Sequence, residues 1–252
     1  MPETVSEHKG RVAVITGGGG GIGDAITDRM QLEGAKVSVL DLKPRPKNGP
    51  SSVSAQAPSI IFHQVDVSRE SEVDKIFDAV AEREGSIDYL VCCAAVFSAR
   101  PFLELSQEEW QKTLDINLTG YFLCCRAALR HMRSRKFGRI VLFSSTLART
   151  GGTHCAHYSA SKGGILGLAR SLALEVAHES LRVNTISPGV TDTAQPRGHL
   201  SEEELRARAV RNPLGRIGKV EDMVQACLFL LGDESAYFTG QDIRVNGGAT
   251  LW

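Results

Sequence analysis

Residues 11–41 narrow the possible folds more than any other part of the chain. Arg11-Val12-Ala13-Val14-Ile15 is a short apolar run that reads as a buried strand. Thr16-Gly17-Gly18-Gly19-Gly20-Gly21-Ile22-Gly23 follows. The pattern then predicts a helix over 24–33, stopped at Gly34. Lys36-Val37-Ser38-Val39-Leu40 is a second strand, closing on Asp41. Strand, glycine turn, helix, strand, acid is the order that seats a dinucleotide pyrophosphate on a helix N-terminus. A glycine run by itself is also compatible with a flexible turn. Its position favours the phosphate reading, because glycines let backbone amides approach a ligand with no Cβ in the way. Asp41, 24 residues after Gly17, stands near the spacing of the acid that holds the adenosine ribose hydroxyls. Its carboxylate would repel a 2′-phosphate. The reading is therefore NAD, with NADP kept as the minority alternative by Lys43, Arg45 and Lys47.

The remaining chain repeats the alternation. Residues 43–59 carry Pro44, Pro46, Pro50 and Pro58 and read as a loop. Strands are expected over 60–65, 87–92, 139–143, 181–186 and 242–245, with helices over 70–83, 106–134, 156–177 and 220–231. Ser106-Gln107-Glu108-Glu109 is a capping-box start. Asn117 marks a possible interruption of its helix, because asparagine is a poor helix former. Strands alternating with helices predict a single-domain α/β fold: a doubly wound parallel sheet of about seven strands over 11–252, preceded by a tail over 1–10. A polar segment over about 190–212, with a short helix starting at Ser201, reads as a substrate loop. Ligands in such sheets bind beyond the strands' carboxyl ends. Gly17, Gly20, Gly21, Ile22, Gly23, Asp41, Asp66, Ala94, Ser145 and Pro188 all fall at such ends. Asp66 would hydrogen-bond the adenine amino group or simply cap a helix.

The helix over 156–177 holds Tyr158 four residues before Lys162, so both side chains share a face. An ammonium beside a phenol lowers the phenol's pKa. A phenol so tuned exchanges a proton with an alcohol or a carbonyl.

Composition limits the alternatives. Lys+Arg and Asp+Glu are both 29, a formal net charge of zero, without the basic excess of a nucleic-acid binder. No run of eighteen apolar residues suggests a membrane span, and the polar first ten residues lack a signal core. A cytoplasmic location is expected. The six cysteines show neither CxxC nor zinc-ligand spacing. They read as buried, reduced hydrophobes, and no metal is expected.

With these elements in order, the chain resembles the short-chain dehydrogenase/reductase family over essentially its whole length. The matching pieces are Thr16-Gly17-xxx-Gly21-Ile22-Gly23, Asp66-Val67, Asn117, Ser145, Tyr158-xxx-Lys162, Pro188-Gly189, Thr239-Gly240-Gln241 and Asn246-Gly247-Gly248. The resemblance implies that Tyr158 is the general acid/base. Lys162 would lower its pKa and hold the nicotinamide ribose, Ser145 would bond the substrate oxygen, and Asn117 would hold a relay water. It extends the cofactor contacts to Val67, Gly189, Val190, Thr191 and Thr193, and implies a homotetramer built partly on the helices over 106–134 and 156–177. The family usually reads Asn-Asn-Ala-Gly after the fourth strand. Here the residues are Cys92-Cys93-Ala94-Ala95.

The expected activity is NAD-dependent oxidation of a small polar secondary alcohol such as a polyol, sugar or hydroxy acid. Arg149, His154 and Arg197 are expected to supply the polarity of the pocket. An NADPH-dependent ketoreductase on acyl-carrier substrates and a non-catalytic NAD-binding regulator are the alternatives.

Overall fold

The structure is a computed structural model and describes residues 6, 8–45 and 60–251. Its strands are β1 (Val12–Thr16), β2 (Lys36–Asp41), β3 (Ile60–Gln64), β4 (Tyr89–Cys92), β5 (Gly138–Phe143), β6 (Leu181–Pro188) and β7 (Asp242–Val245). They form one seven-stranded parallel sheet in the order β3-β2-β1-β4-β5-β6-β7. The chain first winds outward from β1 to β3, then crosses back to β4 and winds the other way. Neighbouring connections diverge between β1 and β4, which opens a crevice at their carboxyl ends. Thr16 is level with Leu40 on one side and Cys92 on the other, so three strand ends meet there.

The helices are α1 (Gly21–Leu32), α2 (Glu70–Glu84), α3 (Gln107–Leu114), α4 (Gly120–Met132), α5 (Leu147–Thr150), α6 (Ala156–Val176), α7 (Ala194–Arg197), α8 (Glu202–Arg211) and α9 (Val220–Leu231). Parallel strands buried on both faces need cores on both sides. One core packs Phe77, Tyr121, Met132, Ile165 and Val176 against Val14, Leu90 and Leu142. The other packs Ile26, Met30, Met223 and Leu230 against Ile15, Val91 and Val141. Among the described residues, no helix is long and apolar enough to cross a membrane.

Differences from the sequence reading are local. The end of the expected tail is packed: His8 is buried, with Nδ1 3.3 Å from Tyr89 Oη. β6 extends to Pro188, because its last residue still pairs with Val245. Most of the proline-rich loop, Lys47 included, lies outside the described residues. The expected helix over 106–134 is broken by a π-helical turn at Asp115–Thr119 that contains Asn117. All six cysteines are free thiols, five of them buried.

Candidate active site

The glycine turn is shaped by close backbone contacts. Gly17 has φ +69°, and a Cβ there would lie 2.5 Å from the Ala94 backbone nitrogen. A Cβ on Gly23 would lie 2.3 Å from the Gly17 carbonyl. Thus β1, the turn after β4 and the start of α1 are pressed together. Above Gly20, in contrast, nothing stands within 4 Å of the place a Cβ would take. No side chain caps α1, although α3 and α8 begin with complete capping boxes, Ser106 with Glu109 and Ser201 with Glu204. Open space over uncapped helix amides suits a pyrophosphate, so the residues present fit a dinucleotide.

Asp41 stands beside this turn. Its Oδ2 accepts from the Gly19 amide at 3.0 Å and its Oδ1 from the Lys43 amide at 3.0 Å. Arg45 donates to Asp24 Oδ1 at 2.6 Å and also bonds Asp28. Its charge is therefore already balanced by two carboxylates. Asp66 Oδ1 accepts from the Ser68 amide and hydroxyl, a turn-stabilising role that leaves Oδ2 facing Arg69 at 3.7 Å. Val67 packs its side chain against Gly120, where a Cβ would be 2.9 Å from it. The Ala94 amide is 3.3 Å from Thr16 Oγ1.

The chemistry-bearing residues sit at the ends of β5 and β6 and on α6. The Ser144 amide donates to Ile186 O and the Thr146 amide to Pro188 O, which locks the turn holding Ser145 onto β6. Tyr158 and Lys162 are 7 % and 2 % exposed. The side chains of Gln195 and Ser145 lie near enough to the Tyr158 phenol to favour its ionised form. Lys162 Nζ donates to the Phe143 carbonyl at 2.7 Å and lies 5.6 Å from the Tyr158 ring centroid.

The electrostatics depart from the sequence expectation. Burial raises the phenol's pKa, and the hydrogen bonds from Gln195 and Ser145 pull it back only in part. The ammonium is turned to a carbonyl rather than to the phenolic oxygen, and burial pushes its own pKa down to about 8. Asn117 links two segments. Its Oδ1 accepts from the Val96 amide, and its Nδ2 donates to Val96 O and Ser161 Oγ. Both amide hydrogens are used, so the side chain ties the segment after β4 to α6, while oxygens of Asn117 can still accept from a water. Gly164 permits this approach, since a Cβ there would be 2.7 Å from Leu118.

The substrate segment lies over the crevice. Thr191 bridges to Gly218, the Gly218 amide donates to Val190 O, and the Asp192 amide donates to Gly218 O. The Gly189 amide donates to Val245 O. A Cβ on Gly21 would lie 3.6 Å from Thr193 Cγ2, so this segment runs beside the glycine turn. Phe97 packs edge-on against Tyr158 at 5.0 Å and against His199 at 4.8 Å. Behind them His157 is fully buried, Nε2 is 2.9 Å from Ser98 Oγ, and burial lowers its pKa.

Three residues expected in the pocket have the following surroundings. Arg149 Nε is 3.2 Å from Asp242 Oδ2 at the start of β7, and that carboxylate also accepts from Thr185 and Ser187. Arg149 thus buttresses the sheet edge. His154 is exposed in a left-handed backbone position, φ +61°, and its carbonyl accepts from the Arg100 amide. Arg197 is held by Asp192 and Glu202. Gln195 and Phe97–His199 are brought in instead. Nothing periodic in the sequence singles out Gln195.

A dinucleotide cradle and a buried Tyr–Lys pair with a serine on one sheet edge define a nicotinamide-dependent oxidoreductase. A family model described as enoyl-(acyl carrier protein) reductase matches residues 17–250. The chain is 36 % identical over 249 residues to 3β-hydroxysteroid dehydrogenase 1 of Eggerthella lenta, covering 97 % of this chain and 95 % of that protein. It is 36 % identical over 250 residues to 2,3-dihydroxy-2,3-dihydro-p-cumate dehydrogenase of Pseudomonas putida, covering 96 % and 95 %. It is 34 % identical over 242 residues to a 3-oxoacyl-(acyl-carrier-protein) reductase of Aquifex aeolicus, covering 95 % and 97 %. The solved ligand-free aldohexose dehydrogenase of Thermoplasma acidophilum superposes with a TM-score of 0.87 at 29 % identity, covering 97 % and 95 %. The chain belongs to the short-chain dehydrogenase/reductase family.

Proposed function

We propose that this enzyme is an NAD-dependent dehydrogenase of a small, uncharged, ring-borne secondary alcohol. The observation that carries the proposal is the buried Tyr158 phenol, with Ser145 in reach and Lys162 one helical turn away, beside an uncapped glycine turn. Asp41 next to that turn supports NAD, as does Arg45, whose charge is spent on Asp24 and Asp28. The names of the hydroxysteroid and dihydrodiol relatives support a hydroxyl carried on a ring. Arg149 and Arg197, both engaged by carboxylates, leave the earlier hydroxy-acid option without the cations it relied on.

When bound, the nicotinamide accepts the hydride that leaves the carbinol carbon. The chain supplies the rest. Gly20, Gly21 and Ile22 at the start of α1 would hold the pyrophosphate, and Asp41 the ribose hydroxyls. Tyr158 Oη takes the hydroxyl proton in oxidation and returns it in reduction. Ser145 Oγ donates a hydrogen bond to the oxygen as charge develops on it. Lys162, now donating to Phe143 O, would hold the nicotinamide ribose. Pro188, Gly189, Val190, Thr191 and Thr193 would hold the nicotinamide end. A homotetramer built partly on α4 and α6 fits the apolar residues those helices expose, Phe122 at 44 % and Leu174 at 83 %.

The test is NAD reduction across secondary alcohols, polyols and sugars, repeated with Tyr158→Phe. Wild-type turnover should fall by about 10²–10⁴-fold in the variant, with NADH binding kept. Equal turnover by the two proteins would refute the assignment. Tight NADH binding without turnover on any alcohol or ketone would instead favour a regulator. A preference for NADPH would favour the ketoreductase reading that the acyl-carrier relative supports.

A further inference from the structure

The proton-transfer scheme gives no role to the large aromatic packed beside its lysine. Tyr121 lies on α4 and is 1 % exposed. Lys162 Nζ stands over its ring, 5.2 Å from the centroid. The Tyr121 hydroxyl donates to Phe143 O at 3.3 Å, and Lys162 Nζ donates to the same carbonyl at 2.7 Å. A carbonyl oxygen has two lone pairs and can serve both donors. Ring and ammonium are therefore tied to one atom, two residues before Ser145. The ammonium spends one of its three hydrogens there and keeps two for a ligand.

Little else holds this charge. Among the described residues no carboxylate is in ion-pair contact with Lys162. The titratable groups that face it are the thiols of Cys92 and Cys93 from the end of β4, Tyr121 itself, and Tyr158, whose ring centroid is 5.6 Å away. Cys124 on α4 faces Tyr121. Burial raises the pKa of Cys92, Cys93, Tyr121 and Tyr158, so none of these supplies an anion at neutral pH. The negative face of an aromatic ring attracts a cation within about 6 Å of its centroid, most strongly where water is excluded. The hydroxyl bond is longer than an ordinary O–H···O bond of about 2.7–2.8 Å, so the ring face is the larger contribution of Tyr121.

We propose that Tyr121 is a positioning residue whose ring face, together with the shared Phe143 carbonyl, holds the Lys162 ammonium charged and oriented for the nicotinamide ribose. This rests on the dehydrogenase reading above, in which Lys162 holds that ribose.

The test compares Tyr121→Phe, which keeps the ring face, with pentafluorophenylalanine at position 121, which keeps nearly the same shape but reverses the charge of that face. Circular dichroism verifies that both fold. Magnetic resonance of isotope-labelled lysine follows the titration of Lys162 in the apo protein, its signal identified as the one that Lys162→Met removes. An ammonium stabilised by the ring gives up its proton at higher pH. Relative to Tyr121→Phe, the fluorinated ring should lower the titration midpoint by about 0.4–1.5 pH units. Tyr158-dependent turnover with NAD at pH 7 should fall by about 2–30-fold between the same two proteins. If Tyr121 only fills space, the two rings act alike in both measurements, which overturns the proposal. A lower midpoint with equal turnover overturns it too, as does lower turnover with an equal midpoint. Absence of Tyr158-dependent turnover on every alcohol, with the midpoint still shifted, overturns the dehydrogenase reading and leaves the contact between ring and ammonium standing.

Discussion

Lys162→Met is expected to inactivate the enzyme and yet stabilise the apo fold. The ammonium is 2 % exposed, and burial drops its pKa from 10.5 to about 8. At about 1.4 kcal/mol per pKa unit, keeping it charged at pH 7 costs the folded state about 3 kcal/mol. Methionine has a similar length and no charge. What it loses is the bond to Phe143 O, worth about 1 kcal/mol, and that carbonyl keeps the Tyr121 hydroxyl at 3.3 Å. The variant should therefore be about 2 kcal/mol more stable at pH 7.

The pH dependence supplies a second check. The folded pKa lies below the unfolded one, so between pH 8 and 10.5 the unfolded chain binds more protons. Wild-type stability then gains with rising pH relative to the variant. The variant's advantage should shrink by about 2–3 kcal/mol between pH 7 and pH 10. Urea denaturation followed by far-ultraviolet circular dichroism, at one fixed protein concentration, measures both quantities. A variant less stable than wild type at pH 7, or a difference flat from pH 7 to 10, would refute the reasoning.

Other expectations follow from the same geometry. Gly17→Ala meets the Ala94 backbone at 2.5 Å from a left-handed position. Thermal unfolding should show a loss of more than about 2 kcal/mol, and unchanged stability would refute the close approach. Asp41→Ser should raise kcat/KM with NADP at least about tenfold and lower it with NAD, since one repulsive charge and one ribose ligand are removed together. No change in the NAD/NADP ratio would remove Asp41 from the adenosine site.

The fold was legible because buried parallel strands leave continuous apolar runs and the helices between them keep a period. α9 and β7 fall at the expected residues for that reason, and so do the capping boxes at Ser106 and Ser201. Asn117 was legible as a break but not as a tie, because its partners Val96 and Ser161 lie 21 and 44 residues away. Arg149 illustrates the same limit: its carboxylate is 93 residues distant, and a charge beside a pocket looks free until the sheet brings Asp242 to it. The i,i+4 spacing put Lys162 on the face of Tyr158. It gave no sign that the Phe143 carbonyl would claim the ammonium.

The bridge between Thr191 and Gly218 fastens both ends of the substrate segment at a single point, next to Gly189 bound to β7. A loop closed in this way can vary in its middle while its base stays sewn down. Ser145, Tyr158 and Lys162 lie outside that loop, beyond β5 and on α6. Changes in the loop can then alter the choice of alcohol without altering the proton-handling groups.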